Sequence, residues 1–210
     1  MSGAASPAHR LLIVGGQKSG KSRHAEQRAA AWLAASPRHR AVFIATAVAG
    51  DAEMRARIER HRADRAAHLP TLRTVEEPLA LAAAIRAHGT PETLLVVDCL
   101  TLWLVNLLAA APAIAAENSE SKVPQALMQK APAAMEIESL DDIADALCTC
   151  AGPVVMVSNE IGLGVVPMGR EVRAFVDALG LLNQRIAALS DEVVLMAAGL
   201  PLVLKPRGAA

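Results

Sequence analysis

What the chain is short of removes whole classes of protein. It has no net charge, because 21 Lys and Arg stand against 21 Asp and Glu. No global field therefore favours nucleic acid or an anionic membrane, and any anion site has to be local. No uncharged apolar run approaches the roughly 20 residues needed to span a bilayer, although 53% of the residues are hydrophobic, a figure inflated by alanine. A soluble protein is expected. The three cysteines, Cys99, Cys148 and Cys150, are an odd number without CxxC spacing. That disfavours a disulfide framework and a structural zinc site and leaves core or helix-face packing. Met1 to Arg10 lacks the charged-then-apolar order and cleavage site of a signal peptide, so a cytoplasmic location is expected. No internal repeat is visible.

What remains is one α/β domain. A length of 210 residues is enough to remove roughly 70% of the unfolded surface in a single core. Buried-type apolar runs at Leu11 to Val14, Ala41 to Ala45, Thr93 to Val97, Pro153 to Val157 and Glu192 to Ala197 read as strands. Pro201 to Leu204 reads as a short last strand closing the sheet. Helical patterns lie between them, at Lys21 to Ala35, at Asp51 to Arg65 with Asp51 as a cap, at Pro78 to His88, Leu100 to Ala110, Ile137 to Cys150 and Glu171 to Leu189. Residues 111 to 135 lose periodicity and gather alanine, proline, serine, glutamine and lysine. They read as a flexible or irregular excursion within one domain spanning 1 to 210. Strands alternating with helices predict a mainly parallel sheet with helices on both faces, and such sheets bind ligands at the carboxyl ends of their strands.

The strongest local signal is Gly15-Gly16-Gln17-Lys18-Ser19-Gly20-Lys21-Ser22, which satisfies G-x-x-x-x-G-K-S between a buried strand and a helix. The glycines let backbone N–H groups curl round phosphate oxygens at a positive helix end. Lys21 can reach the terminal phosphates and Ser22 can ligate Mg²⁺. A merely tight turn would need glycine but not the lysine and serine after it. Phosphoryl or nucleotidyl transfer also needs a carboxylate to hold the ion's water shell, and Asp98 ends the apolar run Leu94-Leu95-Val96-Val97. Capping the helix that starts near Leu100 is the other use for that aspartate. Ser158-Asn159-Glu160, at the end of another strand, implies a further edge of the site.

Between Asp51 and Arg65, the residues Arg57, His61 and Arg65 recur every four positions and share one helix face. Two guanidiniums beside an imidazole would keep it neutral, with a ring nitrogen free to attack a phosphorus, and could hold the phosphates as well. The same pattern also fits a solvated, charge-rich face. His24, one turn past the phosphate loop, is the nearest competitor as nucleophile. His9, His39, His68 and His88 have no obvious constellation.

Taken together these segments resemble the bifunctional adenosylcobinamide kinase and adenosylcobinamide-phosphate guanylyltransferase family of cobalamin assembly. The resemblance runs through Gly15 to Glu26, Phe43 to Ala47, Asp51 to Arg62, Glu76 to Pro78, Val97 to Leu108, Ser158 to Pro167 and Leu182 to Ala187. It implies a phosphate-loop NTPase-like fold and a histidine in R-I-x-x-H-x-x-x-R that takes up GMP from GTP. The matching positions are Arg57, Ile58, His61 and Arg65. It implies nucleotide contacts at Ala45, Thr46 and Ala47, at Arg62, Ala63, Asp64 and Arg65, and at Glu76 and Asp98. ATP or GTP would phosphorylate adenosylcobinamide, and GMP would then join the resulting phosphate, giving adenosylcobinamide-GDP. The family habit is a symmetric trimer with the corrinoid between subunits. Some relatives have two adjacent histidines where this chain has Arg60-His61.

Overall fold

The computed structural model describes residues 9–49, 52–116, 132–164 and 166–208. The elements run β1 (Arg10–Gly15), α1 (Lys21–Ala35), β2 (Arg40–Ala45), α2 (Ala52–His68), β3 (Arg73–Glu76), α3 (Leu81–His88) and β4 (Thr93–Asp98). They continue through α4 (Leu100–Ala116), α5 (Pro132–Thr149), β5 (Val154–Val157), α6 (Arg170–Leu189), β6 (Glu192–Ala197) and β7 (Leu200–Lys205). One 7-stranded sheet has the order β3-β2-β4-β5-β1-β6-β7. Its neighbours pair in parallel except β6 with β7, which are antiparallel.

The apolar runs form strands because a parallel sheet buries both of its faces, and successive residues divide between the faces. Leu12, Val14, Val42, Ile44, Leu95, Val97 and Met156 face one core, closed by Ile85 of α3, Trp103 of α4, Leu147 of α5 and Leu182 of α6. Leu11, Ile13, Phe43, Leu94, Val96 and Val155 face the other, under α1. Ala25 and Ala29, both fully buried, let α1 lie close to the sheet. α2 is different. Its described side chains are exposed or half-exposed apart from Arg65, as its run of charged residues dictates.

The expected elements are present, with corrections. β3 was not foreseen, since Arg-Thr-Val-Glu is a four-residue edge strand exposed along most of its length and has no apolar run to mark it. α3 begins at Leu81, not Pro78, because the Glu77 carboxylate accepts the Leu79 and Ala80 N–H groups and closes a turn there. Of the stretch expected to be irregular, 111 to 135, residues 111–116 are the end of α4 and 132–135 the start of α5. Residues 117–131 and the cap expected at Asp51 lie outside the described residues.

Candidate functional site

The carboxyl ends of β1, β2, β4 and β5 meet at one edge of the sheet, and the conspicuous polar residues gather there. After β1 the chain turns at Gly15, whose φ of 153° already disfavours a side chain, and where a Cβ would stand 2.5 Å from the Met196 carbonyl oxygen. Lys18 and Gly20 also take positive φ, 57° and 99°, and α1 starts at Lys21 with no side-chain cap. Its first N–H groups are therefore left to a ligand, as an anion site requires. Ser19 carries a buried hydroxyl without a hydrogen-bond partner, a polar atom costly to leave so unless an occupant of the loop supplies one. The Lys21 ammonium is buried and donates to the Gly16 carbonyl at 2.6 Å. Gly16, Gln17 and Lys18 form the exposed rim.

The Ser22 hydroxyl bonds the Asp98 carboxylate, so the loop and the end of β4 are joined. Burial pushes the Asp98 carboxyl above its usual range. That bond, Arg65, His61 and Lys21 act in the opposite direction. His61, exposed on α2, is near enough to Asp98 to favour its charged form. His24 instead has Arg28 and Glu192 as its charged neighbours, on the β6 side, and burial lowers its pKa.

Arg65 is the residue by which α2 docks. Its guanidinium lies 4.0 Å above the Phe43 ring centroid and is only 9% exposed, a cation–π contact sheltered from water. Burial lowers its pKa, while Glu26 and Asp98 favour the charge. Glu26, on α1, is itself raised by burial against the pull of Arg65. Arg62, one turn from the docking residue, is ion-paired with Glu76 at the end of β3. Ala63 and Asp64 are exposed. Thr46 is fully buried, and its hydroxyl both donates to the Cys99 carbonyl and accepts the Cys99 N–H at 2.8 Å. Its side chain thus clamps β2 to β4, between the half-exposed Ala45 and Ala47. The described part of Arg57 is its backbone only.

Sequence reasoning assigned no role to Glu26, Phe43 or Asn183. Glu26 could have been found one helical turn after Ser22, on the same face. Asn183 is a polar residue on the buried stripe of α6. Its amide nitrogen donates to the Asn159 carbonyl at 3.0 Å and to Glu160 at 3.3 Å, and its oxygen accepts the Ser158 hydroxyl at 2.6 Å. The edge expected at Ser158-Asn159-Glu160 is therefore built into the cleft. No cluster of three or more His, Cys, Asp or Glu able to hold a metal occurs among the described residues.

A glycine loop leading into α1, a buried lysine, a serine bonded to an aspartate and a parallel sheet define a phosphate-loop nucleotide-binding α/β protein. The fold agrees with a solved structure, the flagellar accessory protein FlaH from Methanocaldococcus jannaschii, with a TM-score of 0.50 and 12% identity over 96% of this chain and 80% of that one.

The model of the cobinamide kinase / cobinamide phosphate guanyltransferase family matches residues 11–204, and the chain belongs to that family. A bifunctional adenosylcobalamin biosynthesis protein, CobP, from Pseudomonas aeruginosa is 46% identical over 93% of this chain and 97% of its own. CobU from Salmonella typhimurium, with the same description, is 38% identical over 93% and 99%. The chain is thus a bifunctional transferase of adenosylcobalamin biosynthesis, a kinase and a guanylyltransferase. No described helix is long and apolar enough to cross a membrane.

Proposed function

We propose that one phosphate cradle serves both reactions, and that His61 carries GMP between them. In the first, ATP or GTP seated over Gly15 to Ser22 gives its γ-phosphoryl group to the hydroxyl of adenosylcobinamide. In the second, a ring nitrogen of His61 bonds to the α-phosphorus of GTP and pyrophosphate leaves. The cobinamide phosphate then attacks the guanylylated histidine, releasing adenosylcobinamide-GDP and the free imidazole. The observation carrying this reading is the docking of α2 on the sheet through Arg65, whose guanidinium lies 4.0 Å above the Phe43 ring one helical turn from His61.

Each residue has a role that follows from its chemistry. The loop N–H groups and Lys21 neutralise the charge that builds on the phosphoryl oxygens, which together with alignment supplies most of the rate. Ser22 and Asp98 would hold Mg²⁺. Two oxygen ligands are what this ion uses when substrate phosphates and water complete its shell, and its charge would further neutralise the phosphates. Arg62 and Glu76, already paired, would flank the nucleotide beside Ala45 to Ala47, with Ala63 and Asp64 on the adjoining turn. We also assign the whole chain to one domain, acting as a homo-oligomer, a trimer by family resemblance.

The test uses purified protein and GTP labelled at the α-phosphate. An acid-labile, base-stable protein adduct should form and should be lost in His61→Ala. An adduct that persists in that variant removes His61 from the role.

A further inference from the structure

The kinase half needs something the histidine does not provide, a group to take the proton of the acceptor hydroxyl. The position of β5 selects one. This strand lies between β1, which leads into the phosphate loop, and β4, which ends on Asp98. Whatever follows β5 must therefore emerge between the cradle and the aspartate. The residues that do so are Ser158, Asn159 and Glu160.

Glu160 is tied to the cradle by its backbone, whose N–H donates to the Gly15 carbonyl at 3.1 Å. Its side chain is held by one oxygen, Oε2, which accepts the Asn183 amide. Asn183 is in turn fixed by Ser158 and the Asn159 carbonyl. The other oxygen, Oε1, has no hydrogen bond among the described residues and lies 3.6 Å from where a side chain on Gly162 would begin. Gly162 lines an open cavity of about 540 Å³ between the loop after β5 and α6, walled by Val166, Pro167, Val176 and Leu181. Arg173 secures that loop through the Pro167 carbonyl at 2.9 Å. A carboxylate oriented by one oxygen, with the other next to a glycine that lines this cavity and with its backbone bonded to the phosphate loop at Gly15, is suited to act as a base for a hydroxyl brought to the loop from that side.

The other carboxylates of the cleft are differently placed. Asp98 is bonded to Ser22 and Glu26 lies with Arg65 on the α2 side, while Asp177 lines the same cavity from α6 and Glu160 is set apart from it by the bond of its backbone to the phosphate loop at Gly15.

We propose that Glu160 is the general base of the phosphoryl-transfer half-reaction. Its carboxylate takes the proton from the acceptor hydroxyl as that oxygen bonds to the γ-phosphorus. The bond from the γ-phosphorus to the β–γ bridging oxygen breaks, and the nucleoside diphosphate leaves with the electron pair. GMP transfer has no such need, because its acceptor is an already ionised phosphate. The inference rests on the function proposed above and separates the two activities it contains.

The experiment compares the full-length parent with Glu160→Gln, which keeps the shape of the side chain. Phosphorylation of adenosylcobinamide by ATP or GTP is followed beside labelling of the protein from α-labelled GTP. Loss of a general base lowers kcat by about 10²–10⁴-fold. The expected result is a loss of that size in phosphorylation, with the KM for nucleotide and the yield of labelled histidine within about threefold of the parent. Phosphorylation at the parental rate overturns the proposal. So does a joint loss of phosphorylation, labelling and GTP binding, which would make Glu160 a scaffold for the loop. If the parent itself neither phosphorylates the corrinoid nor takes up label, the function proposed above has failed, and the result is distinct from a fault of Glu160.

Discussion

At Asp98 the demands of stability and of chemistry oppose each other. Burial raises its carboxyl pKa, with the Ser22 bond, Arg65, His61 and Lys21 only partly offsetting it. The folded chain then holds this proton at a higher pH than the unfolded chain. Its ionisation therefore costs stability as the pH rises through that window, and the cost is absent below the unfolded value. Asp98→Asn should raise the melting temperature of the nucleotide-free protein at pH 7 to 8, by about 2–4 °C for each kcal/mol of relieved charge. The gain should vanish in acid. The same variant should lose most of both activities, and a differential-scanning melt beside the two assays measures the trade. The place of this residue beside the phosphate loop was legible because a lone carboxylate at the tip of an apolar run is costly without a partner. The clamp that Thr46 makes on Cys99 was not, since nothing in F-I-A-T-A marks it.

At the scale of the element, α2 holds the histidine proposed to carry GMP but has little apolar surface with which to dock. Helices usually gain their stability from a buried face. This one is pinned by Arg65 over Phe43, with Glu26 beside it. Phe43→Leu keeps an apolar side chain in the core but removes the ring face, and a sheltered cation–π contact is worth about 1–2 kcal/mol. Histidine labelling from GTP should slow by about 5–30-fold, while phosphorylation of the corrinoid, for which α2 supplies flanking contacts to the nucleotide but no reacting group, should slow by a smaller factor. Rapid-quench labelling against steady-state kinase turnover reads the difference, and equal slowing of both would contradict a docking role. The four-residue spacing of Arg57, His61 and Arg65 was visible in the sequence. That Arg65 lies over the Phe43 ring depends on where β2 lies.

At the scale of the molecule, the edge opposite the site closes through charge. Arg10 donates to Asp191 from its backbone and its guanidinium, and His9 and Arg28 both meet Glu192. For Asp191, burial raises the carboxyl, but the bonds from Arg10 outweigh it and the net shift is downward. Its stabilisation is thus present above the ordinary value of 3.8 and lost as the pH falls through the lower folded value. His9 is lowered by burial first and by Arg207 next. Below the ordinary 6.5 the unfolded chain accepts a proton that the folded chain resists. Both groups weaken the fold in acid. Asp191→Asn should cost about 1 kcal/mol or less at pH 7, since water screens the partly exposed pair. The gap from the parent should close toward pH 3, as thermal melts across that range would register. A gap that widens in acid would contradict the sign.

The phosphate cradle, the lysine and serine that serve it and the alternation of strands and helices were determined by the sequence alone. Each depends on neighbours within a few residues, and on periodicities that any local stretch displays. The edge strand β3 escaped because its pairing with β2 comes from backbone bonds and not from an apolar pattern. Only the tertiary structure decided that β5 enters between β1 and β4, which sets Glu160 against Gly15 and brings Asn183 of α6 to its carboxylate. Strand order follows from how distant apolar faces are buried together, and no short run of residues carries that information.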